Sequence, residues 1–247
     1  MKYNYQIIIE YLGTKFVGWQ IQKNGKSIQE TVQLALSKTF NLKVKLIGSG
    51  RTDAGVHAMG QSANFLLDNK IQNRKKTLST INFYLKKYPI SVILLRKRQL
   101  KFNARFSAKK RVYEYFIVNT DSKLSIDEGK VWLVRKKLDI WSMKKAIKIL
   151  IGTHDFSTFR SSSCNAKSPI RTITKASIKK INDRIILKFE SRSFLQHQVR
   201  SMVGCLKCVG EKKWSIQKFK KVIKAKKRKF CAMLAPPNGL YLKKIYY

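Results

Sequence analysis

Acidic residues are scarce in this chain, with 13 Asp and Glu against 53 Lys and Arg in 247 residues. The resulting formal net charge of +40 at pH 7 repels itself, so a polyanionic partner is the simplest reason to carry it. Nucleic acid is the first such partner to consider, and an anionic membrane surface is the second. Lys outnumbers Arg while Ile, Asn, Tyr and Phe are abundant, a bias typical of AT-rich genomes. Charge alone therefore supports RNA or DNA binding only weakly.

Long apolar runs are also missing. No run reaches the roughly 18 residues that a membrane-spanning helix needs, so we expect no association with membranes. Residues 1–5 lack the apolar core and cleavage site of a signal peptide. Four Cys do not indicate a disulfide scaffold, and we therefore expect a reducing cytoplasm. Hydrophobic residues still make up 44% of the chain, which is enough to form a folded core.

Motifs for cofactors are absent as well. The sequence has no P-loop, no G-x-G-x-x-G after a predicted strand and no nucleophile elbow, so it predicts no nucleotide cofactor. Cys205 and Cys208 form a C-x-x-C within a predicted helix, but no second pair of Cys or His lies near them. Because structural zinc takes four ligands at defined spacings, we expect no metal site. His57 and His197 fit hydrogen-bonding structural roles better than catalytic ones.

Hydrophobic periodicity predicts two successive α/β halves, residues 1–105 and 106–247. The first half has the order β-α-β-β-α-β, and its first helix begins with a capping box, Ser27 followed by Glu30. An Asn182-Asp183 turn predicts a hairpin in the second half. Besides those flanking the loop described next, the predicted strands cover residues 3–11, 90–96, 111–119, 171–181, 184–191 and 240–246. The predicted helices cover residues 28–40, 75–87, 140–151, 194–209 and 215–225.

One glycine-rich loop contains an isolated carboxylate. Asp53 lies two residues after Arg51 within residues 50–60, which include three glycines and are flanked by strand-like segments at 44–47 and 61–65. A loop held between two strands is a rigid way to present a catalytic group. A plain β-connection, in which Asp53 accepts turn hydrogen bonds and pairs with Arg51, fits the same residues.

Two side chains of the second half fit chemistry on RNA. Arg200 lies on the inner turn of the predicted helix 194–209, where a buried guanidinium needs a carboxylate such as Asp53; the alternative is a surface Arg that snorkels. Tyr113 follows Arg111 in a segment where basic and aromatic residues alternate, as in sites that hold phosphates and stack on bases. A strand whose tyrosines only pack in the core fits the spacing of Tyr113 as well.

Six motifs, in order along nearly the whole chain, resemble the tRNA pseudouridine synthase A family. The strongest is residues 50–58, which contain Asp53. The others are Phe16-Val17-Gly18-Trp19-Gln20, Ala104-Arg105-Phe106-Ser107-Ala108 with Tyr113, Asp155-Phe156-Ser157-Thr158-Phe159-Arg160, Phe194-Leu195-Gln196-His197-Gln198-Val199-Arg200 with Val203-Gly204, and Ala235-Pro236-Pro237-Asn238-Gly239-Leu240-Tyr241-Leu242. Gln196 and Gln198 are more polar than we expect for the family.

The resemblance implies an α/β fold of the α+β type, the pseudouridine synthase fold. In it, two similar α/β halves share an extended, mostly antiparallel sheet with a central active-site cleft. It also implies a homodimer without cofactor that converts uridine to pseudouridine at positions 38, 39 and 40 of the tRNA anticodon arm.

Residue by residue, the resemblance implies that Asp53 is the essential aspartate, Arg200 its ion-pair partner and Tyr113 the active-site tyrosine. Arg51 matches a basic residue of the same loop. We expect Arg51, Arg111 and His57 to contribute to substrate binding. Two alternatives are a non-catalytic RNA-binding or RNA-chaperone protein of the same fold, which would not need Asp53, Tyr113 and Arg200, and a ribosome-associated structural protein, which only the charge favours.

Overall fold

The computed structural model describes residues 1–247, which form two compact units. The first unit contains Met1–Lys109 together with Leu242–Tyr247, and the second contains Lys110–Tyr241. The last six residues, which belong to the second half of the chain by number, are therefore part of the first unit. The longest helices have 13 residues, and none is long and apolar enough to cross a lipid bilayer.

Ten strands and five helices make up the chain, a mixed α/β fold whose strand pairs are mostly antiparallel. In chain order they are β1 (Tyr3–Tyr11), α1 (Ile28–Phe40), β2 (Ile47–Gly48), β3 (His57–Leu67), α2 (Arg74–Leu85), β4 (Ile90–Arg98), β5 (Lys110–Val118), β6 (Trp132–Leu133), α3 (Ile140–Lys148), β7 (Gly152–Asp155), β8 (Ile170–Ile181), β9 (Arg184–Ser191), α4 (Gln198–Gly210), α5 (Ile216–Lys224) and β10 (Leu240–Tyr246).

The first unit has the predicted order β-α-β-β-α-β, which is confirmed. β1 lies between β3 and β4 and is antiparallel to both, and the short β2 pairs with β3. The other neighbour of β3 is β10, of which Leu242–Tyr246 belongs to this unit. β1 contributes Tyr5, Ile7 and Ile9 to the core of the unit, each almost fully buried.

Helix α1 begins and ends where the sequence predicted. The Ser27 hydroxyl accepts a hydrogen bond from the Glu30 amide at 3.2 Å, so the N-terminal cap is confirmed. Asn41 has a left-handed backbone with φ of 51° and ends the helix. Ile28, Val32, Ala35 and Leu36 form its buried face.

The second unit has a four-stranded antiparallel arrangement in the order β5-β9-β8-β7, with β6 parallel to the end of β5. The hairpin between β8 and β9 turns at Asn182, whose φ is 51°, and confirms the predicted turn. Helices α3 and α5 begin within one residue of their predicted starts. Asp139 and Ser215 cap them, and the side chain of each accepts an amide hydrogen bond of the first turn.

The predicted start of α4 at Phe194 was wrong, because the helix begins at Gln198. His197 has a left-handed backbone with φ of 65°, and the Gln198 side chain accepts the Leu195 amide at 2.8 Å. This local hydrogen bond competes with another helical turn. The strand-like segment at 44–47 overlaps the observed strand at one residue only, since Ile47–Gly48 pairs with β3.

Candidate active site

Asp53 lies half-buried in the loop between β2 and β3 of the first unit. The backbone on both of its sides is fixed. The Trp19 amide donates to the Thr52 carbonyl at 3.0 Å, and the Val56 amide donates to the Asp53 carbonyl at 3.2 Å. The hydroxyl groups of Tyr11 and Thr52 are 2.8 Å apart and hydrogen-bonded. The loop that carries the Asp53 carboxylate is thus held in place by hydrogen bonds to Tyr11 and Trp19 of the same unit.

Two glycines let neighbouring backbone approach this loop closely. A Cβ atom on Gly18 would lie 2.6 Å from the Thr52 carbonyl oxygen, and a Cβ on Gly13 would lie 2.0 Å from the Val56 carbonyl oxygen. Both distances are far shorter than carbon–oxygen contact allows. Gly18 also has φ of +103°, a conformation that residues with a side chain rarely adopt. Only glycine fits these two positions.

The segment 16–20 connects the Asp53 loop to helix α1. On one side, Trp19 bonds to the loop as described. On the other side, the Gly18 and Trp19 carbonyls accept the amides of Ile28 and Gln29 at 3.0 and 2.9 Å. These are amides of the first turn of α1, which have no partner within the helix. The segment therefore fixes the position of the Asp53 loop relative to the capped start of helix α1.

The other predicted residues of this loop differ in exposure. Arg51 is exposed, as contact with a phosphate requires. His57 is 0% exposed, and its Nδ1 accepts the Gly13 amide at 2.8 Å. Gln61 donates from Nε2 to the Gly50 carbonyl at 2.7 Å. The imidazole of His57 thus holds the loop in place, and its burial leaves no surface for direct contact with RNA.

Tyr113 lies on β5 of the second unit, opposite Phe189 of β9. It is 8% exposed, and its ring packs edge-to-face against Phe194, with centroids 5.3 Å apart and an interplanar angle of 88°. This contact fixes the plane of the tyrosine ring. Arg111, two residues earlier, is half-buried and donates to the Arg192 carbonyl.

Arg200 lies in the first turn of α4 and is 9% exposed, so the interpretation as a snorkelling surface residue was wrong. Its Nε donates to the Ala235 carbonyl at 2.8 Å. One turn later, a Cβ on Gly204 would lie 2.0 Å from the Met233 carbonyl oxygen. The segment 233–236 therefore lies directly against α4 and holds the guanidinium in a set orientation.

Tyr115 indicates that Tyr113 and Arg200 lie on the same side of the second unit. Tyr113 and Tyr115 are two residues apart on one strand and so point to the same face. Burial raises the pKa of Tyr115, and the positive charge of Arg200 partly opposes this rise. The Tyr115 hydroxyl donates to the Pro236 carbonyl at 2.8 Å, beside the carbonyl that binds Arg200.

Sequence reasoning did not anticipate three supports of these residues: the Phe194 ring, the Ala235 carbonyl and the close approach at Gly13. Phe194 was assigned to a helix, and a backbone carbonyl gives no signal in a sequence. The motifs at 16–20 and 235–242 contained part of this information, because they mark the segments that hold the Asp53 loop and Arg200.

Comparison with known proteins decides the family. The family model described as tRNA pseudouridine synthase matches residues 7–107 and 146–247. The chain belongs to this family. It is therefore an isomerase that converts uridine in tRNA to pseudouridine.

Related proteins named tRNA pseudouridine synthase A match the synthase over almost its full length. The protein of Pelagibacter ubique is 56% identical over 99% of this chain and 100% of its own length. That of Parvibaculum lavamentivorans is 43% identical over 98% of both chains. That of Methylocella silvestris is 42% identical over 98% of both chains.

Replacing Gly18 by Ala tests whether the close approach of Gly18 to the Thr52 carbonyl positions Asp53. The added Cβ must displace Thr52, and we expect kcat to fall at least tenfold because small misplacements of catalytic groups are costly. Gly152→Ala is the matched control: its φ of +108° brings a similar strain of about 1–2 kcal/mol, but its nearest contact, the His154 side chain, is 3.5 Å away. Both variants should lose stability in urea titrations, and only Gly18→Ala should lose turnover. Equal turnover by the Gly18→Ala and Gly152→Ala variants would contradict a role of Gly18 in positioning Asp53.

Proposed function

We propose that this synthase isomerises uridine at positions 38, 39 and 40 in the anticodon stem-loop of tRNA, with Asp53 as its nucleophile or base. The observation that carries the proposal is the half-buried Asp53 on a loop whose backbone is bonded on both sides. The resemblance of residues 50–58 to the family signature supports the role of Asp53, and the names of the relatives support tRNA as the substrate.

The reaction defines what the protein must supply. The bond between C1′ and N1 of uridine breaks, the uracil rotates, and a new bond forms between C1′ and C5. C5 releases a proton to water and N1 takes one up, so the reaction is an isomerisation that consumes no co-reactant and changes no oxidation state. The enzyme needs a group that assists cleavage of the first bond and a pocket that retains the detached base.

An ionised carboxylate can assist in three ways: attack on C1′, addition to C6 of the base, or removal of a ribose proton. In our proposal Asp53 acts on the bound uridine in one of these ways. In our proposal Arg200 forms an ion pair with this carboxylate and holds it in place. Its burial supports this role, because a buried guanidinium requires acceptors that include a negative charge.

A uridine in the anticodon stem-loop must leave its stack before it reaches the enzyme, at a cost of a few kcal/mol. In our proposal the ring of Tyr113 stacks on the extruded base, which contributes about 1–3 kcal/mol. Arg51 and Arg111 contact the flanking phosphates, and the large positive charge of the chain adds favourable, salt-sensitive interactions with the anticodon arm.

We also infer that the synthase works as a homodimer in the cytoplasm. The family resemblance supports the dimer. All four cysteines are free thiols, which fits a reducing compartment.

Site mapping tests the proposed substrate position. After incubation of unmodified tRNA transcripts with the enzyme, we expect mass spectrometry to detect pseudouridine at positions 38, 39 and 40 only, once cyanoethylation has added mass to pseudouridine, which otherwise weighs the same as uridine. Transcripts with cytidine at all three positions are the control and should remain unmodified. Pseudouridine in another arm, or in the control transcript, would refute the assignment.

Replacing Arg200 by Ala tests its role as the partner of Asp53. We expect a loss of about 3–5 kcal/mol in the free energy of unfolding and a loss of turnover, because one charge of the pair would remain without its partner. Arg184→Ala removes an exposed ion pair with Asp127 and serves as the control, with an expected cost below about 1 kcal/mol. An Arg200→Ala protein with unchanged melting temperature and rate would exclude the pairing.

A further inference from the structure

A groove in the second unit lies between α3 and β8, apart from every residue assigned to catalysis. Its volume is about 370 Å³, within the range of sites that hold small ligands. The floor is apolar and buried, formed by Ile147, Ala176 and Ile178. The walls are Trp141 and three lysines, Lys144, Lys145 and Lys148.

Helical spacing places the four wall residues on one face of α3. Positions 141, 144, 145 and 148 follow the i, i+3, i+4, i+7 pattern, whereas Met143, Ala146 and Ile147 point into the core. All four wall residues are exposed. Trp141 is 64% exposed, so packing within the chain does not account for this large aromatic side chain.

The chemistry of the groove matches a nucleotide. The Lys145 Nζ lies 3.2 Å from the centroid of the Trp141 ring, a cation–π contact that places positive charge at an exposed aromatic face. Stacking platforms for unpaired bases combine these two features. No carboxylate lines the groove, so its lysines have no anionic partner within it.

We propose that this groove is a second RNA-binding site, in which Trp141 stacks on one unpaired base of the tRNA and the lysines hold the flanking phosphates. The inference rests on the proposed function only in taking tRNA as the ligand. A second copy of the chain is disfavoured as the occupant, because its 13 acidic residues offer few carboxylates to pair with three lysines. Lysines are also depleted in protein–protein interfaces.

The test measures the dissociation constant of tRNA by fluorescence anisotropy at several salt concentrations. Trp141→Ala should weaken binding at least fivefold without changing the salt dependence, since it removes stacking but no charge. Trp141→Phe, which retains a ring, should bind within about twofold of wild type. The double variant Lys144→Ala/Lys148→Ala should weaken binding and reduce the slope of log K against log salt by about 1.4, if each lysine contacts a single-stranded phosphate.

The matched control is Phe83→Ala. Phe83 is 59% exposed and carries Lys86 over its ring at 4.5 Å, but it does not line the groove. We expect its tRNA affinity to equal that of wild type. Equal weakening by Phe83→Ala and Trp141→Ala would overturn the proposal, as would wild-type affinity in both Trp141→Ala and the double lysine variant.

Sedimentation velocity separates RNA binding from subunit contact. If Trp141→Ala changes the oligomeric state, the groove is a protein interface and the proposal fails. Tritium release from tRNA labelled at C5 of uridine, measured in parallel with wild type, tests the proposed function separately. An inactive wild type whose tRNA affinity still depends on Trp141 would refute the proposed function and leave the groove assignment standing.

Discussion

The contact on which the first unit depends is the approach of the Gly18 backbone to the Thr52 carbonyl, next to Asp53. A side chain at residue 18 would collide with that carbonyl, and the amide of Trp19 forms its hydrogen bond from the same segment. The segment in turn satisfies the first amides of α1. A single chain of backbone hydrogen bonds therefore runs from a capped helix to the candidate catalytic loop, and it leaves the aspartate few alternative positions.

In the second unit, close approach of backbone to a glycine also orients a site residue, and here the glycine lies on a helix. A glycine on α4, Gly204, admits the segment 233–236, whose Ala235 carbonyl orients Arg200. The edge-to-face contact of Phe194 fixes the ring of Tyr113. In both units a glycine permits close backbone approach, and the approaching backbone then orients a charged or aromatic side chain. Such rigidity suits a reaction in which the detached uracil must rejoin the same ribose through a different atom.

Local signals account for what could be predicted. Ser27 and Glu30 defined the start of α1, Asn182 defined the hairpin, and the glycine-rich loop identified Asp53. Two kinds of contact account for what could not: a local side-chain hydrogen bond, which hydrophobic periodicity does not reveal, and contacts between residues far apart in the chain. The start of α4 is set by a side-chain hydrogen bond of Gln198 that competes with the helix, and the last six residues join the first unit through pairing of β10 with β3. The carbonyl that holds Arg200 lies 35 residues further along the chain.

The measurement that tests the central claim most directly is release of tritium from tRNA labelled with tritium at C5 of uridine, with wild type and Asp53→Asn side by side. C5 loses its hydrogen only when it forms the new bond to the ribose, so release reports the isomerisation itself. The account predicts release by wild type and none by Asp53→Asn, with tRNA affinity retained in the variant. Release by Asp53→Asn at a rate near that of wild type would contradict it.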